Sequence, residues 1–341
     1  MDPLTQGLLG AAAAQIAFGR RLGPRAMLIG AVAGVLPDAD VFIRSSSDPL
    51  LAVEYHRQFT HSLAFIPFGG LLAALPWLAR RANRAAWKMI AGASIVGYAT
   101  HGVLDACTTY GTQLFWPFSR ARMAFHSISI IDPIFTLALL AGVIVAAIRK
   151  SPQPAAISIA VCLSYLAAGA VQHDRASRVQ ERLAASRQHP VTRGEVFPTI
   201  GNHLVWRSLY QSGDTLHADR IRVPWFGDPR FAPGMSVRLL EERNLGPAES
   251  ASARVVRDFR RFHWFSDGWL ARDARDPSVI GDVRYSMRTD AFEAIWGVRF
   301  HPKRDVPTEW VDLSRTRSLQ AGRLWDEITG RDRSYREIPT P

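Results

Sequence analysis

An uncharged stretch of 21 residues, from Pro152 to Gln172, constrains the fold of this chain more than any other feature. It is rich in Ala, Ile, Leu and Val, and its length is what an α-helix needs to cross the hydrocarbon core of a bilayer. We therefore expect a membrane-spanning helix here. The stretch also divides the chain by charge: residues 1–171 contain 13 Lys and Arg against 7 Asp and Glu, whereas residues 172–341 contain 28 against 23.

Five shorter apolar stretches precede this one, each near or below the lower length limit for a spanning helix. The first follows Asp2 rather than a run of basic residues, so it is interpreted as a retained helix and not as a signal peptide. Buried helices of a large soluble protein are the alternative interpretation of such short Ala- and Gly-rich segments. The stretches are Leu4–Phe18, Ala26–Ile43, Ser62–Ala79, Met89–Leu104 and Pro133–Ile148.

The basic residues between these stretches favour the membrane interpretation. If the stretches alternate across a bilayer with the N-terminus outside, nine Lys and Arg fall on one side and four on the other, as the positive-inside rule requires. We therefore predict a multi-pass protein with residues 44–61, 105–130 and everything after about 172 on the outer, periplasmic side. The predicted fold class is a mainly α membrane bundle of about five to six apolar helices, followed by a small α+β soluble domain.

After Gln172 the pattern changes to short runs of aromatic and β-branched residues separated by Gly, Pro and Asp turn signals. Charged segments with helical periodicity cover His173–His189 and Glu249–Phe262. The runs that predict strands are Glu195–Ile200, His203–Gln211, Thr215–Val223, Val279–Met287 and Glu293–Phe300.

These patterns predict four regions along the chain. A membrane-embedded domain covers 1–175, a connecting helix or linker covers 176–194, an outer-side α+β domain covers 195–305, and a partly helical tail covers 306–341. The sequence does not indicate an oligomeric state.

Two classes of protein are disfavoured by composition. The net charge of +11 comes from Arg residues scattered among acids rather than gathered in a run, so a nucleic-acid partner is not expected. Cys107 and Cys162 are the only two cysteines, and both lie in apolar surroundings, so neither a disulfide scaffold nor a Cys-ligated zinc module is available.

The polar residues of the apolar half are its main functional signal, because ionisable groups at membrane depth are costly unless they are paired, hydrated or ligated. His101 and Asp105 are four residues apart, which places both side chains on one helix face. Zinc and similar divalent cations accept this combination of imidazole and carboxylate. A His–Asp hydrogen bond on a helix surface is the structural alternative.

Further candidate ligands lie in two other motifs. Pro37 interrupts an apolar stretch beside Asp38 and Asp40, which predicts an irregular turn lining a polar cavity, with turn capping as the alternative. His56 and His61 fit one site if His56 lies in a loop and His61 opens the next helix, but exposed loop histidines are the alternative.

Two more residues have candidate roles beside these ligands. Arg57 has the geometry to hold a phosphoryl oxygen, although it is equally interpretable as a loop cation. Asp132 precedes Pro133, as Asp2 precedes Pro3, and each Asp-Pro pair fits the N-cap and first position of a helix as well as it fits a site. His126 lies in the neighbouring loop and is a weaker candidate.

Several ordered motifs resemble the YdjM family of bacterial inner-membrane metal-dependent hydrolases, some of whose members are LexA-regulated. The likeness covers about residues 1–175, and the family is distantly similar to zinc-dependent phospholipase C and P1 nuclease. Many relatives read Leu-Thr-His near the N-terminus, where this chain has Gln6. The motifs are Met1-Asp-Pro-Leu-Thr-Gln6, Leu36-Pro-Asp-Ala-Asp40, His56-Arg-Gln-Phe-Thr-His-Ser62, His101-Gly-Val-Leu-Asp105, Thr109-Tyr-Gly-Thr-Gln113 and Ile130-Ile-Asp-Pro133.

Together these observations predict a metal-dependent hydrolase in the bacterial inner membrane, with a zinc-like ion at the outer face. Asp132 is expected to act as base and Arg57 to hold the anionic group of a phosphoester or other lipid-borne substrate. The alternative is a non-catalytic, metal-stabilised membrane anchor, or a transport or sensor component, that carries a periplasmic binding domain. The predicted ligands are Asp38, Asp40, His56, His61, His101 and Asp105.

Overall fold

A computed structural model describes residues 1–314 and 321–339 and divides the chain into two compact units. Unit 1 comprises Met1–Phe42 and Tyr55–Val171, and unit 2 comprises Ile43–Glu54 and the residues from Gln172 onward. The described helices are α1 (Pro3–Leu22), α2 (Arg25–Val35), α3 (Leu51–Tyr55), α4 (Ile66–Leu78), α5 (Trp87–Ala106), α6 (Pro133–Arg149), α7 (Gln153–Ser186), α8 (Pro247–Ser250), α9 (Ala253–Phe265) and α10 (Ala321–Thr329).

Unit 1 is built around an unusually close contact of α1, α2 and α5, which requires glycine at the crossing points. A Cβ atom added to Gly30 of α2 would lie 2.2 Å from the carbonyl oxygen of Gly10 in α1, and one added to Gly97 of α5 would lie 2.5 Å from the carbonyl oxygen of Gly30. With no side chain between them, the backbones touch. This contact brings the C-terminal end of α2 beside the C-terminal half of α5.

The second helical layer of unit 1 consists of α6 and the first part of α7. Asp132 caps α6 by accepting a hydrogen bond from the backbone N–H of Phe135 at 3.0 Å, and Pro133 occupies the first helical position. Tyr165 of α7 donates a hydrogen bond to the other oxygen of Asp132 at 2.9 Å. Apolar side chains that include Leu139 and Cys162 fill the space between the helices.

The prediction of five to six apolar membrane helices is wrong. Among the described residues, α7 is the one helix long and apolar enough to cross a membrane. A broken pair, Leu51–His61 with Leu63–Leu78, passes the same test only when its parts are combined, and they are bent by 60°. The helix α6 is apolar but has only 17 residues.

The number of spanning helices was overestimated because two of the other apolar stretches do not form a single continuous α-helix. Ala26–Ile43 ends as an α-helix at Val35 and continues as a 3₁₀ helix over Leu36–Phe42. Ser62–Ala79 begins with a separate 3₁₀ turn, so α4 has only 13 residues. Because the predicted periplasmic placement depended on alternating spans, the multi-pass topology and that placement lose their support.

Unit 2 contains two antiparallel sheets, so a sheet-rich domain follows the helical part. The strands are β1 (Val191–Pro198), β2 (Val205–Ser212), β3 (Thr215–Arg222), β4 (Arg230–Ala232), β5 (Ser236–Arg238), β6 (Leu270–Arg272), β7 (Val279–Asp282), β8 (Trp296–Phe300), β9 (Thr308–Asp312) and β10 (Arg336–Glu337). The order in the first sheet is β1-β2-β3-β4-β10 with β5 also paired to β3, and the order in the second is β6-β7-β8-β9.

Each of the five predicted strand segments overlaps an observed strand, but β4, β5, β6, β9 and β10 were not predicted. They have only two to five residues, too few for a recognisable alternation. Strand β9 pairs with β8 although it lies beyond residue 305. Within the predicted tail, residues 315–320 and 340–341 lie outside the described residues.

The helix α7 continues without a break for 34 residues, from the apolar stretch into unit 2. Its second half packs Ala176, Val179 and Leu183 against the first sheet, with Trp206 and Ile221 among the contacts. The sequence predicted two helices here, because the composition changes from apolar to charged at Gln172. The change instead marks where one helix leaves an apolar environment and meets the sheet.

The segment Ile43–Glu54 belongs to unit 2 because two of its acids pair with α9. Arg261 lies 2.9 Å from an oxygen of Asp48 and 2.7 Å from an oxygen of Glu54. These are two of the seven acids before residue 172. Asp48 and Glu54 therefore attach this segment to α9, and they do not share the role of the other acids of the helical half.

We expect Gly30→Ala to lower the free energy of unfolding by about 1–3 kcal/mol, because the added methyl group would force α1 and α2 apart. Gly322→Ala in α10 is the matched control, since nothing lies within 4 Å of its added Cβ atom. The denaturation midpoint of each variant in detergent provides the measurement. Equal midpoints for Gly30→Ala and the unmodified chain would contradict the close helix contact.

Candidate metal centre

Two carboxylates of the candidate site lie on the short 3₁₀ helix Leu36–Phe42. This helix begins directly after α2, and Pro37 opens it. Asp38 and Asp40 are two residues apart, so they do not point in the same direction. They contact opposite nitrogens of one imidazole: Asp38 Oδ1 lies 3.4 Å from His61 Nε2, and Asp40 Oδ2 lies 3.3 Å from His61 Nδ1.

The other donors come from a second 3₁₀ helix, Phe59–His61, and from α5. His101 and Asp105 lie one turn apart near the end of α5, as their spacing predicts. Between them, Gly102 allows the His61 backbone to approach, because a Cβ atom there would lie 2.1 Å from the His61 carbonyl oxygen. The glycine in this motif is therefore needed for the site to close.

Four side-chain atoms surround one point: Asp38 Oδ1, His61 Nε2, His101 Nε2 and Asp105 Oδ2. Each imidazole Nε2 lies 3.3–3.5 Å from each of the two carboxylate oxygens. Bonds of about 2.0–2.2 Å from a central ion to four tetrahedral ligands give ligand–ligand distances of about 3.3–3.6 Å. Four of the six distances between these atoms therefore match the ligand–ligand distances of a tetrahedral site.

The hydrogen bonding of these atoms also fits a cation. His61 Nε2, His101 Nε2 and Asp105 Oδ2 are buried and make no hydrogen bond among the described residues, although Asp105 Oδ2 forms an ion pair with Arg57. Buried polar atoms without partners are costly, and several that face one point call for an explanation. A cation at that point would satisfy all three.

Contacts outside the four donors orient both imidazoles. His101 Nδ1 lies 2.6 Å from the carbonyl oxygen of Gly34, so it donates its proton there and its Nε2 faces the cluster. His61 Nδ1 lies between Asp40 and the hydroxyl of Thr60, which is 3.0 Å away. Histidine ligands of metals are normally held through their second nitrogen in this way.

The negative charge of Asp105 is compensated by several groups that contact its two oxygens. Its Oδ1 accepts a hydrogen bond from Gln6 Nε2 at 2.9 Å and contacts the amino group of Met1, and its Oδ2 lies 3.1 Å from Arg57 Nε. Burial would raise the pKa of Asp105, but Arg57 and the other nearby cations outweigh burial and hold the pKa well below its usual range. Asp105 is therefore ionised.

The other two carboxylates are also held in the charged form. Burial would raise the pKa of Asp38, but the imidazoles of His101 and His61 outweigh burial and hold the pKa far below its usual range. Asp40 behaves in the same way, with hydrogen bonds from His56 and His61 opposing burial. Three carboxylates in the anionic form create a strong preference for positive charge in the cluster.

The cluster opens to solvent on one side. The side chain of Asp38 is 20% exposed and that of His56 is 23% exposed, whereas those of His61, His101 and Asp105 are fully buried. Asp38, Asp40 and His56 form a second group with metal-ligand spacing. Within it, His56 Nδ1 lies 2.8 Å from Asp40 Oδ1, so a carboxylate–imidazole pair stands at the opening.

Comparison with known proteins gives one match. A family model described as the YdjM inner membrane protein matches residues 1–176. The chain belongs to this family. No curated protein and no solved structure matches. The predicted resemblance to YdjM is therefore confirmed, and the similarity to phospholipase C and P1 nuclease is not shown.

Membership of the YdjM family identifies the chain as an inner-membrane protein, and the matched region contains every residue of the cluster. It ends within α7, before the first strand of unit 2. The metal-ligand cluster is thus a feature of the part that this chain shares with the family, and the sheets of unit 2 are outside it.

The structure brings six predicted ligands together, but it places the two predicted catalytic residues differently. Arg57 pairs with Asp105, donates a hydrogen bond to Thr108 Oγ1 at 2.9 Å, and lies 4.7 Å from the ring centroid of Tyr110. Asp132 caps α6, and neither group with metal-ligand spacing among the described residues includes it. The predicted ligands are Asp38, Asp40, His56, His61, His101 and Asp105.

Sequence reasoning missed the supporting contacts. Thr60, Thr108 and the Gly34 carbonyl group had no pattern that marked them. Gln6 lies in one of the motifs on which the family resemblance rests, and it donates a hydrogen bond to the ligand candidate Asp105.

We expect Asp40→Asn to weaken metal binding by about 10–100-fold, because the substitution removes the charge that orients His61. Asp132→Asn is the matched control, since it makes the same chemical change at a carboxylate outside the cluster. Competition with a chelator of known affinity measures both variants. Unchanged affinity in Asp40→Asn would contradict the orienting role.

Proposed function

We propose that the chain is a membrane-bound, metal-dependent hydrolase whose active site is the cluster of Asp38, His61, His101 and Asp105. The observation that carries the proposal is the convergence of four donor atoms on one point, three of them buried without hydrogen-bond partners among the described residues. Membership of an inner-membrane family supports the membrane location.

The donor set favours zinc or a similar borderline divalent ion. Two imidazole nitrogens and two carboxylate oxygens are a common combination for zinc. Calcium prefers six to eight oxygen ligands, and magnesium prefers octahedral oxygen coordination, so neither suits a tetrahedral site with two imidazoles. When bound, such an ion activates water and stabilises negative charge that develops on a phosphoryl or acyl oxygen.

The exposed side of the cluster suits a reaction rather than a purely structural role. Asp38 is the one donor that faces the opening, so a substrate reaches the site past this carboxylate. The donors His61, His101 and Asp105 are buried on the opposite side of the site. A catalytic metal site needs an accessible side of this kind, so that substrate can reach the metal.

His56 replaces Asp132 in this proposal as the residue that accepts a proton. Its Nδ1 donates to Asp40, which fixes the tautomer and leaves Nε2 able to act as base. Asp40 remains ionised beside it and stabilises the imidazolium that forms. Arg57 likewise changes role, because its guanidinium pairs with Asp105 and holds that ligand in place.

A lipid-borne ester is the substrate class that the surroundings favour, with phosphoesters to be tested first. Phe42 ends the 3₁₀ helix that carries Asp38 and Asp40, and its side chain is 83% exposed. Phe118, in the loop between α5 and α6, is 89% exposed. Exposed aromatic side chains of a membrane protein favour contact with lipid, and Phe42 lies four residues from the donor Asp38.

The alternative function is a structural metal site in a non-catalytic membrane protein. One observation favours it: four protein side chains offer donor atoms to one point, whereas a catalytic zinc site usually has three protein ligands and an open position. The two functions predict the same metal content but differ in activity. The two predictions that follow test metal content and activity separately.

We expect the purified full-length chain to hold about one divalent metal ion, and His101→Ala to lose most of it, because one of four ligands is removed. His301→Ala is the control, since it makes the same change in unit 2. Elemental analysis of detergent-purified protein gives the metal content. Full occupancy in correctly folded His101→Ala would overturn the assignment of this centre.

We expect His56→Gln to keep its metal but to hydrolyse substrate about 10²–10⁴-fold more slowly, the usual contribution of a general base. His301→Gln should keep full activity. A panel of phosphomonoesters, phosphodiesters and phospholipids in mixed micelles provides the assay. A metal-loaded chain inactive on the whole panel would favour the structural site, and full activity in His56→Gln would exclude His56 as the base.

A further inference from the structure

A loop of unit 2 presents two aromatic side chains that are exposed among the described residues. Residues 223–229 connect β3 to β4 with the sequence Val-Pro-Trp-Phe-Gly-Asp-Pro. Trp225 is 46% exposed and Phe226 is 94% exposed. Gly227 follows with φ +92, a left-handed turn that glycine adopts without strain.

The loop is tied to α7 at the point where the apolar stretch ends. Gln172, the first residue of α7 in unit 2, is fully buried and donates hydrogen bonds to the carbonyl oxygens of Val223 at 2.8 Å and His203 at 2.9 Å. One turn later, Arg175 donates to the carbonyl oxygen of Pro224 at 2.9 Å. The guanidinium of Arg175 also lies 5.8 Å from the ring centroid of Trp225.

These contacts fix the position of loop 223–229 along the axis of α7. The apolar part of α7 spans about 28 Å, from Gln153 to Val171 at about 1.5 Å per residue, which is close to the thickness of a hydrocarbon core. The membrane boundary therefore falls next to Gln172. A loop attached at Gln172 and Arg175 lies at the level of the lipid headgroups.

We propose that residues 223–229 form an interfacial anchor, in which Trp225 and Phe226 insert into the headgroup region of the membrane that α7 crosses. Tryptophan is enriched at this depth because its ring is apolar and its N–H is polar. Phe226 would gain an apolar environment that it lacks in water. Arg175 and the exposed Arg230 supply positive charge for anionic lipid headgroups.

This inference is independent of the metal centre and of the proposed hydrolase activity. It needs only that α7 crosses the membrane, whichever side unit 2 occupies. Contact of the loop with a second copy of the chain is the competing explanation for its exposed aromatic residues. The experiment therefore has to distinguish lipid, water and protein around Phe226.

The test uses the full-length chain in lipid nanodiscs, with Cys107 and Cys162 replaced by alanine and a single new cysteine carrying an environment-sensitive fluorophore. Phe226→Cys reports on the loop. Asp214→Cys is the matched control, because it lies at the turn before β3, at the opposite end of that strand and about 25 Å away. Thermal unfolding of both labelled proteins verifies that each remains folded.

We expect the label at 226 to shift to shorter emission wavelength and to be quenched by a lipid that carries a doxyl group near its headgroup. The label at 214 should respond to a water-soluble quencher and not to the lipid. Equal exposure of both labels to the water-soluble quencher would overturn the proposal. Protection of the label at 226 from both quenchers would also overturn it, because that result indicates a protein contact.

Discussion

The placement of three carboxylates among apolar helices is the constraint on which unit 1 depends. Asp40 and Asp105 are buried and Asp38 is only 20% exposed, so neighbouring groups must compensate their charge. Arg57, the imidazoles of His56, His61 and His101, and hydrogen-bond donors such as Gln6 do so. A cation at the centre of the cluster would complete this balance. The glycine contacts between α1, α2 and α5 follow from the same need, because they bring the end of α2 and its acids to His101.

The part of the site that could be predicted from sequence depends on local geometry. A spacing of four residues on a helix places His101 and Asp105 together whatever the rest of the chain does. Pro37 likewise indicated an irregular segment around Asp38 and Asp40, which the structure shows as a 3₁₀ helix. Contacts between distant segments could not be predicted. The pairing of Arg57 with Asp105 depends on how helices pack, which no spacing encodes. The cap at Asp132 is local instead, and its Asp-Pro pair had offered it as one of two interpretations.

The membrane prediction failed for a related reason. Alanine and glycine are apolar enough to resemble membrane segments in sequence, but they also permit helices to pack with their backbones in contact. In α1 and α5 such residues serve helix–helix packing, and polar residues such as Gln6, Gln15 and His101 interrupt them. The 21-residue stretch differs because it contains a single glycine and no charged residue, and from Gln153 onward it lies within one unbroken helix. Hydropathy alone does not separate these two uses of small residues.

The double contact of His61 has a consequence for how the site forms. Asp38 and Asp40 engage opposite nitrogens of the same ring from one turn of 3₁₀ helix. If that 3₁₀ turn unfolds locally, His61 loses two contacts at once: Asp38, which would bind the same ion, and Asp40, which orients the imidazole ring. Occupancy of the site and local order of residues 36–42 are thus thermodynamically linked, so that the turn acts as a single cooperative unit. The short 3₁₀ helix, rather than the longer helices around it, then determines how readily the centre assembles and how readily it is lost.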